Sequence, residues 1–103
     1  MKTVRFHPEA EAEMLAGARF YQERADGLGV RFLESVQAVI RHVSNFPQSA
    51  RVVRSRSVRA SVARTFPYSV VYCERGDEIV VLAVAHHRRR PGYWKTRTSK
   101  PGM

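Results

Sequence analysis

The 103-residue chain has a single cysteine, Cys73, which excludes an internal disulfide and any zinc site built on cysteines, and so points to a reducing compartment. No apolar run approaches the ~18 residues needed to span a bilayer. The opening stretch MKTVRFHPEAEAE has no apolar core of the kind a secretory signal needs, so the reading is a cytoplasmic protein without membrane attachment. Glycine-rich phosphate loops are absent. Histidine is scarce, with four residues, and the adjacent pair His86-His87 would project to opposite faces of a strand, so no metal site and no cofactor is expected.

Acidic residues are also scarce, but only in one half. Residues 1–50 hold 6 Lys+Arg and 6 Asp+Glu, whereas residues 51–103 hold 12 and 3, so the net charge of +9 belongs to the second half. Segregated positive charge attracts polyanions over long range, which suggests nucleic acid, a nucleic-acid machine or an acidic protein as partner.

The length allows one domain that buries roughly 60–70% of its unfolded surface unaided. Lys2 to Phe6 alternates as a short strand. His7-Pro8-Glu9 then starts a helix, with proline at the first helical position and Glu9 and Glu11 at the positive end of the dipole. Ala10, Met14, Ala18 and Tyr21 recur at helical spacing, with Leu15 widening the stripe, and Gly17 marks a close helix approach. Asp26-Gly27-Leu28-Gly29 stops this helix. A second one runs from about Val30, carrying Phe32, Val36, Val39, Ile40 and Val43 on one side, until Asn45-Phe46-Pro47. So short a connection makes the two helices antiparallel.

Three strands follow: Val58 to Thr65, Tyr68 to Glu74, and Ile79 to Ala85. Phe66-Pro67 breaks the first pairing, and Arg75-Gly76-Asp77 turns the second. The fold class is therefore α+β, in the order β-α-α-β-β-β, with both helices on one face of an antiparallel three-stranded meander and its N-terminal strand. The uniformly apolar Ile79–Ala85 is the expected central strand. Gln48 to Ser57 reads either as an extension of the meander through Val52 and Val53 or as a mobile basic loop. A single domain over residues 1–97 and a disordered tail over 98–103 complete the expectation. Two helices with a glycine turn superficially fit a DNA-reading helix-turn-helix, but the segment is electrically neutral and poor in base-reading side chains.

The chemistry-bearing residues gather after Ala85, in HHRRRPGYW. Cutting RNA through its own 2′-hydroxyl needs a base, an acid and a cation at the phosphate. His86 or His87, with Arg64 and Arg88 and a base stacked on Tyr93 or Trp94, supply these residue types. The alternative is structural: His86 ends a strand, Arg88 to Arg90 are a solvated run, and Tyr93 and Trp94 cap the core.

Several strings, taken in order, resemble the RelE/ParE superfamily, the toxins of bacterial type II toxin-antitoxin pairs, also called plasmid stabilisation proteins. They are Phe6-His7-Pro8-Glu9-Ala10, Phe20-Tyr21-Gln22-Glu23, Leu28-Gly29 with Phe32, Phe66-Pro67-Tyr68 with Val70 and Tyr72, and His86 through Arg97. The resemblance implies a RelE/ParE-like fold and one of two activities. RelE-like members cleave messenger RNA in the ribosomal A site, and ParE-like members bind DNA gyrase and trap it on cleaved DNA. The nuclease kind carries an arginine where this chain has Ser69, which places the chain nearer the ParE-like kind. The resemblance then implies that Arg59, Arg64, His86, Arg88, Arg89, Arg90, Tyr93 and Trp94 contact the target or the antitoxin; in the messenger-RNA endonuclease alternative, Arg64, His86, Arg88 and Tyr93 catalyse without a metal. It also implies neutralisation by a cognate antitoxin, and it allows a homodimer when that partner is missing. A nontoxic module that only binds a partner protein or nucleic acid is the third reading.

Overall fold

The computed structural model describes residues 1–54 and 57–98. The chain runs β1 (Thr3–Phe6), α1 (Pro8–Arg24), α2 (Leu28–Asn45), β2 (Arg51–Arg54), β3 (Val58–Val62), β4 (Tyr68–Arg75), β5 (Glu78–His86) and a 3-10 turn at Lys95–Thr98. The architecture is α+β, as the element order in the sequence requires. The expected tail loses Thr98 to the 3-10 turn, and the reading for 99–103 lies outside the described residues.

Local chemistry explains the helical hairpin. His7 caps α1 with its ring: Nδ1 accepts from the Glu9 backbone N–H at 3.0 Å, and Pro8 follows in the first turn. α2 begins two residues before Val30 because a side chain of α1 supplies its cap. Gln22 Oε1 accepts from the N–H groups of Gly27 and Gly29 at 3.1 and 3.3 Å. The helices also approach too closely for ordinary side chains. A Cβ on Gly29 would lie 2.6 Å from the Ala18 carbonyl oxygen, and one on Gly17 would lie 2.8 Å from the Phe32 ring.

The sheet has five strands in the order β1-β5-β4-β3-β2, with β1 parallel to β5 and every other pair antiparallel. Two expectations change. The meander has four strands rather than three, because residues 51–54 turn back on β3 as a separate edge strand, pairing Arg51 with Ala60 and Arg54 with Val58. Residues 55 and 56 lie outside the described residues. The centre of the sheet is β4, and β5 lies between β4 and the short β1. Residues 79–85 are apolar throughout for a different reason: both faces of β5 are covered.

On one face the helices bring Ala10, Phe32, Val36 and Ile40 against Val70, Val81 and Val84. On the other, Trp94 folds back over Val58, Val71, Cys73, Val80, Leu82 and Ala83. The first strand of the predicted meander stops at Val62 rather than Thr65, since Thr65 takes a left-handed φ of 67°. No described helix is long and apolar enough to cross a membrane.

Candidate functional site

Two irregularities of register decide which side chains meet. On β5, Val81 pairs with Tyr72 and Ala83 with Val71, so Leu82 is an extra residue without a partner on β4. Leu82 and Ala83 both pack on the Trp94 side, and the alternation restarts one residue out of step. His86 therefore lies on the helical face, its ring 5.0 Å from Tyr68, while His87 emerges on the opposite face with Nε2 3.0 Å from Ser69 Oγ. The Arg88 N–H donates to His86 Nδ1 at 3.0 Å, which leaves the ring proton of a neutral His86 to Nε2. The second irregularity is on β2, between Val52 and Arg54. Residues three apart on a regular strand point to opposite faces, yet Arg51 and Arg54 pair with Ala60 and Val58, which share the Trp94 face.

The two bulges together line a cleft of about 590 Å³ on that face. Arg51 and Arg54 come from the edge strand; His87, Arg89, Arg90 and Lys95 come from the segment after β5; Ser69 lies between them. Among the described residues no aspartate or glutamate lines it.

A buried clamp holds the segment after β5 in place. β1 ends at Phe6, opposite Val81, so β5 has no strand neighbour on that side beyond Val81. Glu13 of α1 fills the gap. Its Oε1 accepts from the Val84 N–H at 3.0 Å and from Arg97 Nη1 at 3.1 Å; its Oε2 accepts from the Tyr93 hydroxyl at 2.9 Å and from Arg97 Nη2 at 3.0 Å. Arg97 also donates to the Leu82 carbonyl, the residue extruded by the bulge, at 2.9 Å. The pair is shielded, with 12% and 16% of the two side chains exposed. Burial works to lower the Arg97 pKa and is outweighed by the hydrogen bonds and charge of Glu13, so the net shift is upward.

Tyr93 is committed to this clamp. Burial first, then the Glu13 hydrogen bond and charge, push its phenol up to about 12. Its ring is covered by the Arg89 guanidinium at 3.8 Å from the centroid, and Arg97 stands 5.2 Å away. A raised folded-state pKa for a phenol means that folding costs nothing extra while the group is neutral in both states. The contribution of Tyr93 to stability should be level below pH 10 and fall from there toward pH 12 as the phenol ionises in the unfolded chain but not in the folded one. Spectrophotometric titration of the tyrosines should show one component near 12 that vanishes in Tyr93→Phe; a Tyr93 titrating near 10 would contradict the clamp.

The residues singled out in the sequence therefore divide between places. Arg89, Arg90 and Tyr93 line the cleft, and so does Trp94, although Trp94 is 6% exposed and belongs to the core. His86 stands at the rim with its ring turned to Tyr68. Arg88 is exposed and outside the lining. Arg59 and Arg64 lie across the sheet. Arg59 pairs with the buried Tyr72 and donates to the Gln48 and Ala50 carbonyls at 3.3 and 2.6 Å, and Arg64 lines a groove with Arg31, Ser35 and Val39 of α2. Sequence reasoning missed Arg51, Arg54, Ser69 and His87 as a group, and it missed Glu13 as the anchor of the segment after β5. The YWxxR string was the one trace of the clamp in the sequence. Among the described residues no three His, Cys, Asp or Glu side chains converge as a metal site would require.

Comparison with known proteins agrees with this architecture. No curated protein matches the chain. A solved structure described as a chromosomal ParDE toxin-antitoxin system from P. aeruginosa matches with a TM-score of 0.60 at 21% identity, covering 84% of this chain and 96% of that one. A likeness at that identity speaks for the fold. The model of the ParE toxin of the type II parDE toxin-antitoxin system matches residues 4–91, from β1 through the arginine run, and the chain therefore belongs to the ParE toxin family.

Proposed function

We propose that the chain is the toxin of a type II pair that arrests growth in the cytoplasm by binding DNA gyrase, and that a cognate antitoxin neutralises it. The observation that carries this reading is the dispersal of the residues a ribonuclease would need. Arg64 lines a groove against α2 with Arg31 and Ser35, His86 turns its ring to Tyr68 on the helical face, and Arg88 is outside the cleft that Tyr93 lines on the opposite face. The Tyr93 phenol is tied to Glu13 and pushed up to about 12. What remains is a basic surface without an assembled acid-base pair, suited to binding rather than to proton transfer. Ser69, where the nuclease kind carries an arginine, is engaged with His87.

Support for an antitoxin comes from the helical layer. Leu15, Phe20 and Val30 are 48%, 45% and 57% exposed, and β1 and β2 are the edge strands of the sheet, the positions where a partner strand could add. An acidic partner also suits a chain of net charge +9.

Induction of the chain in bacterial cells tests the reading. Plasmid DNA should lose supercoiling and carry gyrase-linked breaks while messenger RNA stays intact, and co-expression of the cognate antitoxin should restore growth. Codon-specific cuts in translating messages would replace this reading with the endonuclease; normal growth with neither lesion would leave a nontoxic binding module.

A further inference from the structure

The cleft gathers positive charge on both of its walls. Arg51 and Arg54 on its strand wall, and Arg90 and Lys95 on its loop wall, make no ion pair among the described residues. Arg89 is partly engaged, 4.0 Å from Glu13 and stacked on Tyr93. Such cations, facing one another across a cavity that no described carboxylate lines, repel, and an anionic ligand that fits between them relieves the repulsion. The bulge on β2 turns Arg51 and Arg54 to the same side, where a regular strand would have divided them.

The aromatic side chains narrow the choice of anion. Recognition of single-stranded nucleic acid relies on exposed rings on which bases stack. Here the Trp94 ring is buried in the core and Arg89 covers the Tyr93 ring, so neither offers a free face to a base. Of the other rings in the lining, His86 is turned to Tyr68 and the exposed His87 is hydrogen-bonded to Ser69, so a cleft dominated by guanidinium groups suits phosphates whose bases are already paired.

We propose that this cleft binds the sugar-phosphate backbone of duplex DNA without regard to base sequence. The preference for DNA over an RNA duplex rests on the gyrase reading; the binding itself does not. In that setting the toxin would touch the DNA segment that gyrase holds as well as the enzyme.

The test uses the purified full-length chain and a fluorescein-labelled DNA duplex, with anisotropy followed across a salt series and no gyrase present. The logarithm of affinity should fall with the logarithm of salt at a slope of about −3 to −4, near −0.9 per phosphate contacted. Arg51→Ala/Arg54→Ala should weaken binding at least roughly tenfold and flatten that slope by about 2. Arg90→Glu should do the same from the other wall. Arg24→Ala/Arg31→Ala removes equal charge from the exposed helical layer and should cost no more than about twofold. Retained circular dichroism and Trp94 emission establish that the variants fold. Equal losses from both double variants would mean generic charge attraction and overturn the proposal. So would tighter binding of single strands or of duplex RNA, or capture of a polyglutamate peptide in place of DNA. A chain that binds duplex yet leaves gyrase untouched would sink only the gyrase reading, and a chain that traps gyrase without binding free duplex would sink only this one.

Discussion

Glu13→Ala should cost about 3 kcal/mol of stability and lower Tm by on the order of 10–20 °C, although Glu13 lies on a helix far in sequence from everything it holds. The substitution removes one carboxylate and strands three donors: the Arg97 guanidinium, the Tyr93 hydroxyl and the Val84 N–H. The greater part of the loss comes from Arg97, whose side chain is 12% exposed and keeps its charge with the Leu82 carbonyl as its remaining acceptor among the described residues. An unpaired, shielded cation costs more than the pair ever contributed. Glu13→Ala combined with Arg97→Met should therefore be more stable than Glu13→Ala alone, and Glu13→Gln should lose only about 1–2 kcal/mol. The effect should also be local before it is global. Trp94, the chain's one tryptophan, is buried by the segment that the clamp anchors, so its emission should shift to the red below the main unfolding transition. An unfolding midpoint within a degree or two of the parent would show that Glu13 is a surface acid like its neighbours Glu9 and Glu11.

This clamp also marks where reading the sequence stops working. Periodic features were legible: Phe32, Val36, Ile40 and Val43 face the sheet because four-residue spacing returns a helix to one side, and all four are buried. The turn at Gly76 and Asp77 and the break at Phe66-Pro67 were legible because glycine permits the positive φ taken at 76 and proline restricts the backbone at 66–67. The site was not, for two physical reasons. Glu13 and Arg97 are 84 residues apart, and no local pattern connects them.

The second reason is parity. Counting alternate residues from Val81 puts Ala83, Ala85 and His87 on the helical face, but Leu82 is extruded, so Ala83, Ala85 and His87 stand on the other. The same miscount hides the pairing of Arg51 with Arg54. A bulge shifts side chains by a whole face, and neither valine-rich strand advertises one in its composition.

Phe32→Ala is expected to be the most damaging single change in the helical layer, at about 3–5 kcal/mol out of a total stability of order 5–15 kcal/mol. Phe32 is fully buried, with Tyr68, Phe66 and Tyr21 at centroid distances of 4.8, 5.3 and 5.3 Å. Its ring edge lies where a Cβ on Gly17 would be, so the alanine leaves a void that the tight helix crossing cannot easily close. The consequence should reach the cleft. Phe66 carries Pro67, and the Pro67 carbonyl accepts the His87 N–H at 2.8 Å, so loss of the aromatic cluster frees the turn that positions His87 beside Ser69. Hydrogen exchange at the His87 amide should accelerate in Phe32→Ala by more than at Val58, whose packing lies on the Trp94 face. Phe32→Leu, which keeps most of the volume, should cost about 1–1.5 kcal/mol and leave His87 protected. A uniform loss of protection at both amides would mean that the two faces of the sheet unfold as one unit, and that the aromatic cluster has no particular hold on the cleft.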